Sequence, residues 1–364
     1  MLEVKELFLH AGNFSLKDIC LSVGEGSCHV VLGPTGSGKT LLLEAIMGFR
    51  KIERGRIFHA GKDITRLPPE RREISYLPQD LALFPKMNVK ENILYGIRVR
   101  KVEDETHQRL FRDLVNILGI EHLLERRIER LSGGERQRVA LARAIVTGNR
   151  TLLLDEPLSA LHESMRRDLW MLIKDLQKSF HLNILMVTHD VEEAFFLADR
   201  VSVIYDGLVL QSSDKEDFFH ELRDVRVAGL VGVRNIFEVE LLESSGEVSR
   251  FFSEELNTVV KARNHRPLLS GSRFFLGVHG SDVDVRTHPI EGFNSLEVEI
   301  LRVYRKVRSV TIEVKTPSGK ILTVEKPSRM YRFLNEGHKA FAVFSPDDVL
   351  IMDHSGDSIQ TTSP

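Results

Sequence analysis

The chain has 364 residues, longer than one domain usually runs, so two domains are expected. Its 42% hydrophobic and 28% charged residues describe a globular protein, and a net charge of −2 argues against nucleic acid as a partner. No apolar run reaches the roughly 18 residues that span a bilayer, so any membrane must be reached through a partner. The charged, alternating opening Met1–Glu6 does not read as a secretory signal. The two cysteines, Cys20 and Cys28, lie in apolar, strand-like surroundings, which fits a reducing compartment better than a disulfide framework or a zinc site.

In chain order, Cys28–Leu32 reads as a buried strand, followed by a glycine-rich turn and a helix, Leu41–Met47, stopped by Gly48. Leu110, Leu114, Val115 and Leu118 share one face of a helix near 104–118, and Ala140, Ala144 and Ile145 share another. Thr151–Asp155 and Asn183–Thr188 are continuous apolar strands, as in a parallel sheet covered on both faces. Between them, Met165, Leu169, Leu172 and Leu176 mark an amphipathic crossover helix. Residues 201–210 read as a hairpin turning on Asp206-Gly207. After about residue 230 helical patterns nearly vanish, and short alternating strands with turns at Ser244-Ser245-Gly246 and Pro317-Ser318-Gly319 suggest a small antiparallel barrel. Its segments Asn235–Glu240 and Asn294–Ile300 look alike, from a weak internal duplication or from a shared β pattern.

Gly33-Pro34-Thr35-Gly36-Ser37-Gly38-Lys39-Thr40 fits G-x-x-x-x-G-K-[ST] between a strand and a helix. Backbone N–H groups freed by the glycines wrap phosphate oxygens, Lys39 reaches the β- and γ-phosphates, and Thr40 offers its hydroxyl to Mg²⁺. Asp155, at the C-terminal end of a buried strand, is placed to hold the Mg²⁺ shell, and Glu156 beside it to act as general base on the attacking water. His189, ending the next strand, is a candidate γ-phosphate sensor. Gln79, in the loop after Tyr76-Leu77-Pro78, is a candidate contact to metal or lytic water. Ser132-Gly133-Gly134-Glu135 combines a capping box with two glycines that leave first-turn N–H groups open, an anion site by geometry and dipole.

Five ordered motifs make the first 230 or so residues resemble the ATP-binding subunit of an ABC transporter. They are Walker A at 33–40, a Q-loop at Gln79, the signature at 131–137, Walker B at 152–155 and a switch histidine at His189. The resemblance implies an α/β, ABC-type P-loop NTPase domain over 1–230 with a helical subdomain about 80–150. An all-β small barrel of OB or MOP type follows over 231–364. It further implies ATP and Mg²⁺ as cofactors and a head-to-tail dimer in which Ser132, Gly133 and Gly134 close over the γ-phosphate held by Lys39 of the second copy. Transmembrane permease subunits are the coupled partners, with a solute-binding protein in the complete system, which places the chain peripherally on the cytoplasmic face of the cell membrane. Two positions depart from the pattern. His162 stands where the loop after Walker B usually carries aspartate, and the adenine-stacking aromatic is unassigned. Phe14 is the candidate for that role, with His10 in register, although a core phenylalanine is the stronger reading of it.

Leu67–Arg72 and Gln79–Pro85 resemble importer ATPases; Leu81, Leu83 and Phe84 suit either a groove for a permease coupling helix or subdomain core. The short Gly12-Asn13-Phe14 start and the Pro-Thr-Gly Walker A are most similar to the molybdate/tungstate branch. Ferric-iron, sulfate, polyamine and sugar importers are close alternatives. The tail segments 231–237 and 277–283 resemble the accessory barrel of such importers, and 294–352 resembles one molybdate-binding unit. Lys306, Arg308 and Ser309 are its candidates for oxyanion binding, against a tail that only supports dimerisation. Two other classes carry less weight. A non-transport ABC ATPase usually has two nucleotide-binding halves or a coiled-coil insertion, and a non-hydrolysing regulator would not need Glu156.

Overall fold

The computed structural model describes residues 1–353 except 103, 160, 221, 246, 265–267, 269–271, 330 and 332–334. Gly246 and residues 354–364 of the tail, included in the segments above, fall outside the described residues, as does Ala160 in the loop before His162. The chain divides into two compact units, one over Met1–Glu216 and one beginning at Asp217. That division lies ahead of the change in sequence texture near 230, and the buried residues Phe218 and Leu222 fall within the second unit.

The first unit runs β1 (Leu2–Ala11), β2 (Phe14–Val23), β3 (Cys28–Leu32), α1 (Lys39–Met47), β4 (Arg54–His59), β5 (Lys62–Asp63) and β6 (Ile74–Leu77). It continues with α2 (Val89–Arg100), α3 (Glu105–Leu118), α4 (Gly133–Ile145), β7 (Thr151–Asp155), α5 (Glu163–Phe180), β8 (Asn183–Thr188), α6 (Val191–Leu197), β9 (Arg200–Tyr205) and β10 (Leu208–Asp214). A four-stranded antiparallel sheet, β2-β1-β4-β5, stands beside a six-stranded sheet ordered β10-β9-β3-β8-β7-β6. In the second sheet β3, β6, β7, β8 and β9 are parallel. Every residue of β3, β7 and β8 is buried, which explains their unbroken apolar runs.

That strand order sets the site. β8 lies between β3 and β7, so the loops leaving their C-terminal ends converge there, the usual crevice of an open α/β sheet. α1 stops where expected: Gly48 takes φ 85° and bonds back to Ala45. The buried Arg72 guanidinium covers the same helix end, donating to the carbonyls of Ala45, Ile46, Leu67 and Thr65. It meets the negative end of the helix dipole, whose carbonyls take the place of a carboxylate partner. The Asp206-Gly207 hairpin also forms, both residues at positive φ (47° and 76°). Its tip touches the glycine-rich loop, Gly207 N donating to the Ser37 carbonyl at 3.2 Å. A Cβ on Gly207 would stand 1.9 Å from the Ser15 carbonyl oxygen, so only glycine fits.

The second unit starts with α7 (Val225–Leu230) and is otherwise β: β11 (Asn235–Ser245), β12 (Val248–Ser253), β13 (Thr258–Arg263), β14 (Arg273–Val278), β15 (Asp284–Arg286), β16 (Asn294–Arg305), β17 (Ser309–Lys315), β18 (Ile321–Pro327), β19 (Lys339–Phe344) and β20 (Leu350–Asp353). They form two five-stranded antiparallel sheets, β13-β12-β11-β14-β20 and β15-β19-β16-β17-β18, over one continuous core.

The likeness between the Asn235 and Asn294 segments is a duplication. β11 to β14 and β16 to β19 pair in the same order, and each repeat gives its fifth strand to the other's sheet. Both long strands bulge at the same place, after Leu241 in one and after Ile300 in the other. The two asparagines act alike as well. Buried Asn235 brackets the Thr323 backbone (2.7 and 2.9 Å), and buried Asn294 brackets that of Lys261 (2.7 and 2.8 Å). Each thereby ties its own sheet to the edge strand of the other.

Candidate functional site

The glycine-rich loop wraps as its glycines require. Gly36 and Gly38 take φ 83° and 101°, and a Cβ on Gly33 would meet the Ile204 carbonyl at 2.3 Å. Lys39, buried at the start of α1, donates to the Gly33 and Pro34 carbonyls, each at 2.9 Å. Thr35 and Gly36 are exposed on the rim. Ser37 is buried and its hydroxyl has no hydrogen-bond partner. An orphaned hydroxyl in a cradle of freed N–H groups at a helix start fits a polyanionic phosphate chain.

Three further residues meet this loop from β7 and β8. Thr40 Oγ1 donates to Asp155 Oδ1 at 3.0 Å, and Tyr76 donates its hydroxyl to Asp155 Oδ2, also at 3.0 Å. Glu156 lies 3.6 Å from Lys39 Nζ and 3.1 Å from His189 Nδ1. Its backbone sits at φ 42°, a left-handed conformation costly for a non-glycine residue and typical of constrained sites. Burial lowers the Lys39 pKa against the pull of Glu156 and raises that of Asp155 against its Tyr76 and Thr40 hydrogen bonds. Asp155 and Thr40 thus present two adjacent hard oxygens, the donor type that Mg²⁺ selects.

Gln79 is exposed and lines a cleft together with Glu156, Pro157, Gly133 and Gln137. The Gln137 side chain is buried with its Nε2 unpartnered. The capping box forms: Glu135 N donates to Ser132 Oγ at 3.3 Å and Ser132 N to the Glu135 carboxylate at 2.7 Å. Gly133 is exposed and Gly134 partly so, with Leu161 and Met165 nearest the faces where side chains would stand. Met165, expected on the inner face of α5, is 37% exposed. Phe14 packs partly buried on the core of the first unit and also edges the loop, since a Cβ on Gly38 would fall 2.7 Å from its ring. Leu81, Leu83 and Phe84 are half-buried, Phe84 against Tyr95 at 4.4 Å between centroids.

Two participants carry no motif of their own. Tyr76 was quoted above only as a flank of Gln79; its register beside Leu153 on β7 brings its hydroxyl to Asp155. Glu193 is buried on α6 and accepts a short hydrogen bond from Thr188, the residue before His189. Thr188 in turn accepts from Asp190 N through its hydroxyl and from Gly33 N through its carbonyl. Both lie within four residues of a motif, Tyr76 before Gln79 and Glu193 after His189, but neither residue type marks a role until the fold brings Tyr76 to Asp155 and buries Glu193 against Thr188.

Comparison with known proteins agrees with this geometry. The family profile described as ABC transporter matches residues 16–159. A molybdate/tungstate import ATP-binding protein of Pyrococcus abyssi is 32% identical over 358 residues, covering 96% of this chain and 100% of that one. One of the same description from Archaeoglobus fulgidus is 46% identical over 225 residues, 62% of this chain and 92% of that one. A spermidine/putrescine import ATP-binding protein of Borreliella afzelii is 34% identical over 302 residues, 77% and 87% of the two chains. Among solved structures, an ABC transporter ATP-binding cassette in its ADP conformation superposes with a TM-score of 0.56 at 25% identity, covering 63% of this chain and 97% of that one. A cassette solved as a dimer gives 0.52 at 25% identity, covering 59% and 99%. The phosphate cradle, the paired Thr40 and Asp155, and relatives matched over nearly their whole length lead to one conclusion: the chain belongs to the ABC transporter family, as an ATP-binding subunit of the ATPase kind.

Proposed function

We propose that this chain energises an ABC importer whose solute is molybdate or tungstate, working as a head-to-tail dimer on the cytoplasmic face of the membrane beneath transmembrane permease subunits. The observation that carries the solute is the alignment with a molybdate/tungstate import protein along 96% of the chain, tail included. Consistent with a peripheral place, no helix among the described residues is long and apolar enough to cross a membrane. A solute-binding protein completes the system, and the duplicated tail either binds the oxyanion or supports the dimer.

In this reading ATP lies on the loop 33–40, with Lys39 turned from the Gly33 and Pro34 carbonyls onto the β- and γ-phosphates and Phe14 beside the base. Thr40, Asp155 and Gln79 would hold Mg²⁺, which supplies charge neutralisation between the β- and γ-phosphates. Glu156 takes the proton of the attacking water, and His189, already 3.1 Å from it, orients that carboxylate and donates to the γ-phosphate. Ser132, Gly133 and Gly134 of the second copy present their N–H groups and helix dipole to the γ-phosphate. Hydrolysis removes the anion that holds the two copies closed.

Glu156→Gln keeps the shape and removes the base, so turnover should fall at least a hundredfold while ATP binding persists and an ATP-bound dimer accumulates. Normal turnover in a phosphate-release assay would remove Glu156 from the role of base. The solute is tested by uptake into vesicles carrying the complete transporter. ATP-dependent accumulation of molybdate and tungstate is expected; spermidine uptake instead would favour the second reading, raised by the polyamine-importer relative.

A further inference from the structure

The loop after Gln79 is folded in a way its sequence does not favour. Leu81 and Ala82 are consecutive non-glycine residues at positive φ, 63° and 43°. Side chains resist that region, so a turn of this kind persists only where its surroundings hold it. One group does so. Arg143, half-buried on α4, donates from Nη2 to the Leu81 carbonyl at 2.5 Å and from Nη1 to the Ala82 carbonyl at 2.6 Å. Its guanidinium also lies over the Phe84 ring, 5.4 Å from the centroid. On the far side, buried Asn92 of α2 accepts from Phe84 N at 2.8 Å and donates to the Phe84 carbonyl at 3.0 Å. The six residues from Gln79 to Phe84 are therefore clamped between α4 and α2.

α4 is the helix that Ser132 caps. From Gly133 to Arg143 it is one unbroken rod of roughly 15 Å, its first turn carrying the signature glycines and its last turn gripping the loop of Gln79. We propose that Arg143 is a positioning residue that links the two, so that α4 and the Gln79 loop move as one body when Ser132–Gly134 close on nucleotide. Arginine suits the position because its planar fork reaches two carbonyls while stacking on an aromatic face, which a lysine ammonium cannot do. The consequence for turnover rests on the reading of Gln79 given above; the mechanical link does not.

The test uses the full-length chain with Arg143→Lys and Arg143→Met, Gln79→Ala and the double variant Gln79→Ala/Arg143→Met, each checked for an unchanged far-UV spectrum. Lysine retains charge and bulk, which guards against simple misfolding. Amide hydrogen exchange across 79–84 should speed up about tenfold or more in both Arg143 variants, the size expected for losing hydrogen bonds to a charged donor. The kcat for ATP should drop about tenfold in Arg143→Met with KM changed less than twofold, and the double variant should be no slower than Gln79→Ala alone. Unchanged exchange across 79–84 overturns the link. Additive losses in the double variant, or a loss confined to KM, overturn the route through Gln79. Full turnover in Gln79→Ala would refute the role of Gln79 itself, leaving the link to be decided by exchange.

Discussion

At the scale of single residues, Glu193 shows how a buried carboxyl can serve one hydrogen bond at a cost elsewhere. Burial pushes its pKa up to about 7, with Asp190 and Glu156 adding to the rise while Thr188 and Arg166 oppose it. In the unfolded chain the same group titrates near 4.5. Between those values the folded state holds the extra proton, so stability falls as pH rises through that window, by about 3 kcal/mol in all. His29 works in the opposite sense. Burial drives its pKa down to about 4 from 6.5, the unfolded state takes the proton first, and stability is lost as pH falls through that range. The two slopes offset each other on the acid side. Glu193→Gln keeps an acceptor for Thr188 and removes one of them. Thermal melts at pH 8 should show the variant more stable than the parent, and its loss of stability from pH 7 towards 5 should be steeper. Parallel pH profiles for variant and parent would contradict this. None of it was legible in the sequence, where Glu193 is one of the four acids of 190–199 and nothing sets it apart from the others.

At the scale of elements, the strands and caps follow local chemistry closely. Unbroken apolar runs became the buried parallel strands, Ser132 with Glu135 became a capping box, and Asp206-Gly207 became a hairpin turn. α5, like α1, starts without a side-chain cap. His162 occupies its N-cap with no side-chain hydrogen bond to the first turn, at the position where the loop after Walker B usually carries aspartate. An aspartate there would accept a first-turn N–H and meet the positive end of the helix dipole. His162→Asp should therefore raise unfolding stability by about 1 kcal/mol, read as a higher midpoint in urea; an unchanged or lower midpoint would show that the helix start is held by other means. Strand ends also explain what could be read of the site. The loop 33–40, Asp155, Glu156 and His189 each leave a parallel strand at its C-terminal end, so a motif placed on a strand was enough to place it in space. Arg143, Asn92 and Tyr76 act across elements, and their partners lie 8 to 79 residues away in the chain. Spacing within one element carries no trace of such pairs.

At the scale of the whole molecule, both units owe their form to repetition or crossing that a linear reading catches only in part. The Asn235 and Asn294 segments gave away the duplication of the tail, since each begins a long strand with an asparagine that must clamp the opposite sheet. The exchange of fifth strands was hidden, because Asp284–Arg286 and Leu350–Asp353 are too short to carry a pattern. In the first unit the signature segment is engaged with its own Glu135, while Lys39, Thr40, Asp155, Glu156 and His189 gather around the phosphate cradle. The proposed head-to-tail dimer pairs each cradle with the signature segment of a second copy. The most direct measurement pairs Lys39→Ala, which spoils only the cradle, with Ser132→Arg, which blocks only the signature, and isolates the mixed dimer through two affinity tags. Each variant alone should be inactive. If the site is shared head to tail, the mixed dimer contains one intact cradle facing one intact signature, and ATP hydrolysis should return. Turnover in the mixed dimer no higher than in either variant alone would contradict a site built from two copies of this chain.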